Sequence, residues 1–184
     1  MRISNDYYLI VDLEATCSNI GAVPRHEMEI IEIGAVMQNS LTYEIETEFQ
    51  AFVRPVRHPI LTEFCTELTG ITQQDVADAP PLAESLELMK EWTSVFKDWL
   101  FCSWGDYDRN QFRQDCEYHS LDYPFSAGHL NLKAEFSRAF GLKKKMGVTA
   151  ALRHLGLSFE GSHHRGLDDA KNIARIVRRA CMGT

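Results

Sequence analysis

The chain has 184 residues, 45% of them hydrophobic and 24% charged, which fits a globular protein with one core and excludes a disordered or fibrous one. Its formal net charge of −7 is unevenly distributed, because residues 141–184 hold 9 Lys and Arg against 3 Asp and Glu. Such an acidic chain will not coat nucleic acid nonspecifically, although bound cations can neutralise the carboxylates nearest a phosphate.

The first half of the chain predicts three strands and two helices. The bulky apolar run 7–13 is typical of a buried central strand, the β-branched run 30–37 of a second, and the alternating segment 44–53 of a half-exposed third. A short helix over 62–69 ends before a glycine, and an amphipathic helix follows Pro81. The predicted core positions of the second helix are Leu82, Leu86, Met89, Val95 and Phe96.

The second half predicts strands that alternate with helices. A strand over 99–104 leads into a helix through about Tyr118, and Leu130 and Leu132 indicate a short last strand. Two further predicted helices cover 147–155 and 167–182. This order predicts an α/β fold in which helices flank both faces of a mixed sheet. Since there is no repeat or linker, we expect residues 1–184 to form a single domain.

The number and spacing of the cysteines, together with the lengths of the apolar runs, indicate in which cellular compartment the protein is expected. The five cysteines are odd in number and form no C-x-x-C pair, which argues against a disulfide scaffold and a structural zinc knuckle. No stretch approaches the roughly 18 apolar residues of a membrane span, and no signal-peptide pattern is present. We therefore expect a cytoplasmic protein that does not contact membranes.

Two acids lie at the end of the first predicted strand. Asp12 and Glu14 are two positions apart, so their side chains share one face, and their neighbours are apolar. Burying two like charges together is costly unless cations compensate them. The pair therefore indicates either a metal site or two acids at an exposed strand end, and alone it leaves both open.

Two later segments also carry acids beside turns. Asp106 and Asp108 follow a predicted strand, where one could cap the next helix while the other binds metal. Asp169 opens the last predicted helix, where acids favour the positive end of the helix dipole. His164 precedes Asp169 by five residues across a glycine turn and could act as a base, although a lone loop histidine is more often only exposed.

Together these segments resemble the motifs of a known nuclease family. The sequences D-L-E-A-T-C at 12–17, S-W-G-D-Y-D at 103–108 and H-H-R-G-L-D-D at 163–169 are similar in order and spacing to the three motifs of the DEDDh 3′-to-5′ exonucleases. The segments E-I-I-E-I-G at 29–34 and G-L-D-D-A-K-N-I-A at 166–174 resemble the branch that contains the histone-mRNA and RNA-interference-limiting exonucleases. The resemblance spans essentially the whole chain and implies an RNase H-like fold with a five-stranded sheet.

The resemblance implies a set of site residues. The implied metal ligands are Asp12, Glu14, Asp108 and Asp169, with Asp106 as the alternative for the third. The implied general base is His164. The family wedges an apolar side chain against the terminal base, and the matching residue is Leu68, which could equally be a core leucine that ends a helix. The implied substrate-binding residues are Leu68, Thr69, Leu13 and Ala15.

The resemblance also implies the reaction. Two Mg²⁺ ions, for which Mn²⁺ can substitute, would hold the scissile phosphate for hydrolysis, and oxygen ligands suit these cations better than zinc. The substrate would be the free 3′-hydroxyl end of a single-stranded nucleic acid, with RNA favoured, and the products nucleoside 5′-monophosphates. Three alternatives stay open: a DNA exonuclease, a binding module on an inactive exonuclease fold, and a small phosphoesterase that acts on nucleotides.

Two further features are interpreted as structural. The run Lys143–Lys145 is expected to be a solvated loop in preference to an RNA contact. The aromatic residues Phe101, Trp104 and Tyr107 are expected in the core in preference to base-stacking positions.

Overall fold

Five strands form one mixed sheet in the computed structural model, which describes residues 2–125 and 128–183. The strands are β1 (Tyr7–Ala15), β2 (Ile30–Asn39), β3 (Ile45–Phe52), β4 (Trp99–Ser103) and β5 (His129–Asn131). The helices are α1 (Glu63–Thr69), α2 (Gln73–Ala77), α3 (Leu82–Thr93), α4 (Tyr107–His119), α5 (Leu132–Ala139), α6 (Val148–His154) and α7 (Gly166–Met182). No helix within these described ranges is long and apolar enough to cross a membrane.

The sheet is built around its first strand, in the order β3-β2-β1-β4-β5. Strand β1 pairs antiparallel with β2 and parallel with β4. Its residues Tyr8, Leu9, Ile10 and Val11 are fully buried, as their bulky apolar character predicts for a central strand. The predicted mixed five-stranded sheet is therefore confirmed.

Helices cover both faces of the sheet because successive β1 side chains point to opposite sides. Tyr8 and Ile10 belong to one core cluster, which α5, α6 and α7 complete with residues such as Ile173. Leu9 and Val11 belong to a second cluster, which α3 and α4 complete. The predicted layering, with helices on both faces of a sheet, is confirmed.

The structure corrects the prediction at two element ends. Helix α3 ends at Thr93, so Val95 is 77% exposed and the prediction that it is a core residue was wrong. Leu132 was predicted within the last strand but begins α5, because the Asn131 side chain accepts a hydrogen bond from Ala134 N and caps a helix there. Hydrophobic residues alone could not indicate where either helix starts or stops.

One close contact joins the sheet to the last helix. A methyl group added to Gly34 of β2 would lie 1.9 Å from the carbonyl carbon of Gly166, the first residue of α7. A methyl group added to Gly166 would lie 2.9 Å from the carbonyl oxygen of Asp12. The first turn of α7 therefore rests directly on the backbones of β1 and β2, which only glycine permits.

We expect Gly34→Ala to destabilise the fold by about 3 kcal/mol or more, because the new methyl group collides with backbone that cannot rotate away. Urea unfolding followed by circular dichroism measures the loss. The control is Gly147→Ala, where an added methyl group meets no atom within 4 Å. Equal unfolding midpoints for the two variants would contradict this account of the contact.

Candidate active site

The end of β1 carries the first two acids of the site. Glu14 is 8% exposed and Asp12 is half-buried. The pairing register of β1 with β2 shifts between Glu14 and Ala15, and such irregularities turn side chains to new directions at sites. The strand thus presents two carboxylates where it leaves the regular sheet.

The first turn of α7 brings in a third acid. Asp169 is 4% exposed, and its Oδ2 accepts a hydrogen bond from the backbone N–H of His164 at 2.8 Å. Carboxylate oxygens of Asp12, Glu14 and Asp169 all lie within 4.8 Å of one another. Three carboxylates this close form an oxygen ligand set that suits Mg²⁺ or Mn²⁺.

The beginning of α4 brings in the fourth acid. Asp108 is 4% exposed, lines the same cleft, and accepts a hydrogen bond from the backbone N–H of Leu13 at 3.1 Å. Asp106, the alternative, is exposed and lies 3.2 Å from the Arg109 guanidinium. Asp106 does not line the cleft and makes no side-chain cap to α4. The structure therefore brings Asp108, and not Asp106, to the other acids.

Burial dominates the electrostatics of these acids. It raises the pKa of Glu14 to about 8 and the pKa values of Asp108 and Asp169 to about 6. It also holds the pKa of Asp12 well above its usual range, and the nearby Asp108 and Asp169 charges add to the shift. Like charges gathered in a poorly solvated cleft favour the binding of cations.

Two histidines border the acidic cluster. His164 is half-buried and adopts a left-handed backbone conformation with φ of 64°. His163 is more exposed, and its Nε2 lies 3.8 Å from Asp169 Oδ1. Burial lowers the pKa of His164, so its imidazole is neutral and can accept a proton near pH 7. Both side chains line the cleft.

The cleft has a volume of about 310 Å³ and apolar walls beside its acids. Leu13, Ala15 and Leu68 line it, and Leu68 is 37% exposed rather than a core residue. Thr69 does not line it, because Thr69 is buried and its hydroxyl donates to the Cys65 carbonyl oxygen at 2.8 Å. Of the four predicted substrate-binding residues, three therefore face the cleft.

Sequence reasoning missed other residues of the cleft. Tyr107 was expected in the core, but it is 41% exposed and lines the cleft together with Trp104, so that expectation was wrong. Met28 and Val148 also line it and carry no sequence signal. Glu32 lies outside the cleft and was also missed, although an acid inside the apolar run of β2 is a sequence signal; its carboxylate accepts a hydrogen bond from the N–H of Gly166, the first residue of α7.

The fold and these motifs match one protein family. The family model described as Exonuclease, of the RNase T type, matches residues 9–177. A solved nuclease domain of 3′hExo, a DEDDh family member bound to rAMP, is similar with a TM-score of 0.92 and 33% identity, covering 99% of this chain and 94% of that one. The chain belongs to the DEDDh exonuclease family. The resemblance read from the three motifs is thereby confirmed.

Two human proteins named as exoribonucleases are similar over nearly the whole chain. ERI1 exoribonuclease 3 is 39% identical over 183 residues, which cover 94% of this chain and 52% of that protein. ERI1 exoribonuclease 2 is 35% identical over an alignment of 203 positions that covers 96% of this chain and 29% of that protein. A solved 3′-exonuclease described as recognising the histone mRNA stem-loop has a TM-score of 0.87 and 35% identity, covering 99% of this chain and 66% of that one.

We expect the stabilisation of the protein by Mg²⁺ to grow between about pH 5 and pH 8. Without metal, acids whose folded pKa values are raised keep protons that the unfolded chain releases, so stability falls as pH rises towards the pKa of Glu14 near 8. Bound cations remove that penalty. Melting temperatures in EDTA and in excess Mg²⁺ measure the difference at each pH. In Glu14→Gln, the rise in melting temperature caused by Mg²⁺ should increase less with pH than in the wild type. A rise that does not depend on pH in the wild type would refute the assignment of these acids as metal ligands.

Proposed function

We propose that this chain is a metal-dependent 3′-to-5′ exonuclease that degrades single-stranded RNA. The observation that carries the proposal is the convergence of Asp12, Glu14 and Asp169 within 4.8 Å of one another, with Asp108 in the same cleft, in a chain of the DEDDh family. The relatives named as exoribonucleases support RNA as the substrate. The cleft supports a small occupant such as one terminal nucleotide.

The four carboxylates are assigned to hold two divalent cations. Their oxygen atoms favour Mg²⁺, for which Mn²⁺ can substitute. When bound, these cations stabilise the negative charge that develops on the oxygens of the scissile phosphate. The chain itself fixes the ligand positions, since the N–H of Leu13 holds Asp108 and the N–H of His164 holds Asp169.

His164 is assigned to take a proton from the attacking water. Its lowered pKa keeps the ring neutral, which a base requires. Its left-handed backbone is uncommon for residues other than glycine and is the kind of conformation that collects at functional sites. His163 is assigned no proton transfer, because it is more exposed and falls outside the H-x-x-x-x-D spacing that ends at Asp169.

The protein carries a formal net charge of −7, which repels the phosphates of a nucleic acid. Binding must therefore come from individual residues in and beside the cleft. Leu13, Ala15 and Leu68 offer apolar surface to the terminal nucleoside, and Tyr107 offers an exposed ring on which a base can stack. The run Lys143–Lys145 is exposed, as expected of a solvated loop, but its position leads us to assign it a contact with the RNA backbone as well. That run lies near the cleft, since Nε1 of the cleft residue Trp104 donates to the carbonyl oxygen of the adjoining Met146 at 2.9 Å.

The test is a gel with 5′-labelled single-stranded RNA and DNA of equal sequence. With Mg²⁺ or Mn²⁺ we expect RNA to shorten one nucleotide at a time, with DNA slower and no reaction in EDTA. A 3′-phosphate should slow degradation strongly, because it adds negative charge against Asp12 and Glu14 in a poorly solvated cleft. Internal fragments, or equal degradation of both 3′ ends, would point to a different nuclease.

Two variants separate the middle acids of the sequence. Asp108→Asn should abolish metal-supported hydrolysis, since it removes a carboxylate that lines the cleft. Asp106→Asn should leave most of the activity, because Asp106 is exposed and contacts Arg109 instead. Calorimetric titration with Mn²⁺ checks both variants independently of turnover. Loss of Mn²⁺ binding in Asp106→Asn alone would reverse the assignment.

A second pair of variants tests the base. We expect His164→Asn to reduce kcat by on the order of 10²–10⁴-fold, the usual contribution of a positioned base. Asparagine is chosen because it tolerates the left-handed backbone at this position. His163→Asn is the matched control and should keep kcat near the wild-type value. If His163→Asn lost more activity than His164→Asn, the proton would pass through His163.

A further inference from the structure

Glu32 is a buried carboxylate that the proposed chemistry does not use. It lies on β2 directly opposite Glu14 of β1, and its exposed fraction is 0%. A charge removed from water in this way is costly unless it is paired and hydrogen-bonded. Its contacts therefore show what the carboxylate does in the fold.

Both oxygens of Glu32 are occupied by hydrogen-bond donors. Oε2 accepts from the backbone N–H of Gly166 at 3.1 Å and from Nε of Arg165 at 3.2 Å. Oε1 accepts from Nε2 of Gln50 on β3 at 2.6 Å. The Arg165 guanidinium carbon also lies 5.4 Å from the centre of the Phe52 ring, within the range of a cation–π contact. These donors direct the Glu32 carboxylate to the first turn of α7 and to β3, and Glu32 is not among the carboxylates whose oxygens lie within 4.8 Å of one another.

These contacts hold the beginning of α7. Gly166 is the first residue of α7, and its N–H has no partner within the helix. Arg165, at the position before it, provides no side-chain cap. A carboxylate from the neighbouring sheet takes that place, where negative charge also favours the positive end of the helix dipole. The anchored turn lies between His164 on one side and Asp169 on the other.

We propose that Glu32 is a positioning residue that fixes the first turn of α7, so that Asp169 and His164 meet the acids of β1. The inference rests on the proposed exonuclease function for its kinetic consequence. Its structural part, the anchoring of α7, stands on the contacts of Glu32 alone. Glu32 does not line the cleft and acts through the residues that it holds.

Gln38 provides a matched control on the same strand. It is 1% exposed, and its Nε2 donates to the carbonyl oxygens of Tyr43 and Ala174, each at 3.0 Å. It therefore also joins β2 to α7, but at the middle of the helix and away from the acids. A substitution at Gln38 should loosen the same helix without moving its first turn.

The experiment compares kinetics and stability in four variants. Glu32→Ala is expected to lower kcat by about 10–100-fold with little change in KM, the usual cost of losing a group that orients a ligand. Glu32→Gln keeps one acceptor oxygen for the N–H of Gly166, while its amide NH2 can donate to the Gln50 side chain once that amide turns its oxygen inward, and should recover most of the activity. Gln38→Leu should lower the melting temperature but keep kcat. Should Glu32→Ala fail to fold, Glu32→Asp keeps the charge, is too short to reach Gly166, and should show the same loss of kcat.

Amide hydrogen exchange separates the anchor from the chemistry. In Glu32→Ala or Glu32→Asp, the backbone amides of His164 and Asp169 should exchange at least about tenfold faster, while in Gln38→Leu they should not change. Unchanged exchange at both amides together with wild-type kcat would overturn the proposal. If the wild-type protein degraded no nucleic acid, the proposed function would fail, while faster exchange in the Glu32 variants would still support the anchor.

Discussion

The contact between Gly34 and Gly166 sets the distance between the sheet and the last helix, and the acidic cluster depends on that distance. Asp12 belongs to β1 and Asp169 to α7, so their carboxylates meet only because the two backbones approach with no side chain between them. Any larger residue at either glycine would lift the first turn of α7 from the strands. The same contact explains why Glu32 can reach the N–H of Gly166. Packing at this one point is therefore a condition for the chemistry.

The acids themselves oppose folding, and backbone N–H groups of other elements hold them in place. Asp108 of α4 is bound by the N–H of Leu13 on β1, and Asp169 by the N–H of His164. These hydrogen bonds orient the carboxylates but do not fully compensate for their burial, because the pKa values of both acids remain raised. Without cations, the clustered carboxylates lower the stability of the fold, but the same cluster is what binds cations. Proteins commonly give up stability at a site in this way. The large apolar clusters on both faces of the sheet supply the stability that offsets this loss.

Sequence patterns predicted most of the features that depend on the residue types within one segment. The apolar run that forms β1, the mixed sheet and the acid-bearing segments could all be recognised from residue types and spacing. Sequence patterns could not predict what long-range packing decides. The exposure of Tyr107 depends on packing of that kind. The hydrogen bond from the Thr69 hydroxyl to the Cys65 carbonyl oxygen is local by contrast, but residue types alone do not show that the hydroxyl turns back onto its own helix. The role of Glu32 could not be predicted either. Its hydrogen-bond partner Gly166 lies at the start of α7, far along the chain, and sequence alone does not place that helix next to β2.

The order of elements along the chain has a consequence for synthesis. Strand β1 and its two acids leave the ribosome early, whereas α7 and Asp169 come last among the described elements. Until α7 arrives, the apolar face of β1 and β2 that it covers stays open and the ligand set stays incomplete. Folding that depends on such distant pairings completes late. A growing chain therefore cannot assemble its full carboxylate ligand set until α7 packs on the sheet, so the cation site is among the last parts of the fold to form.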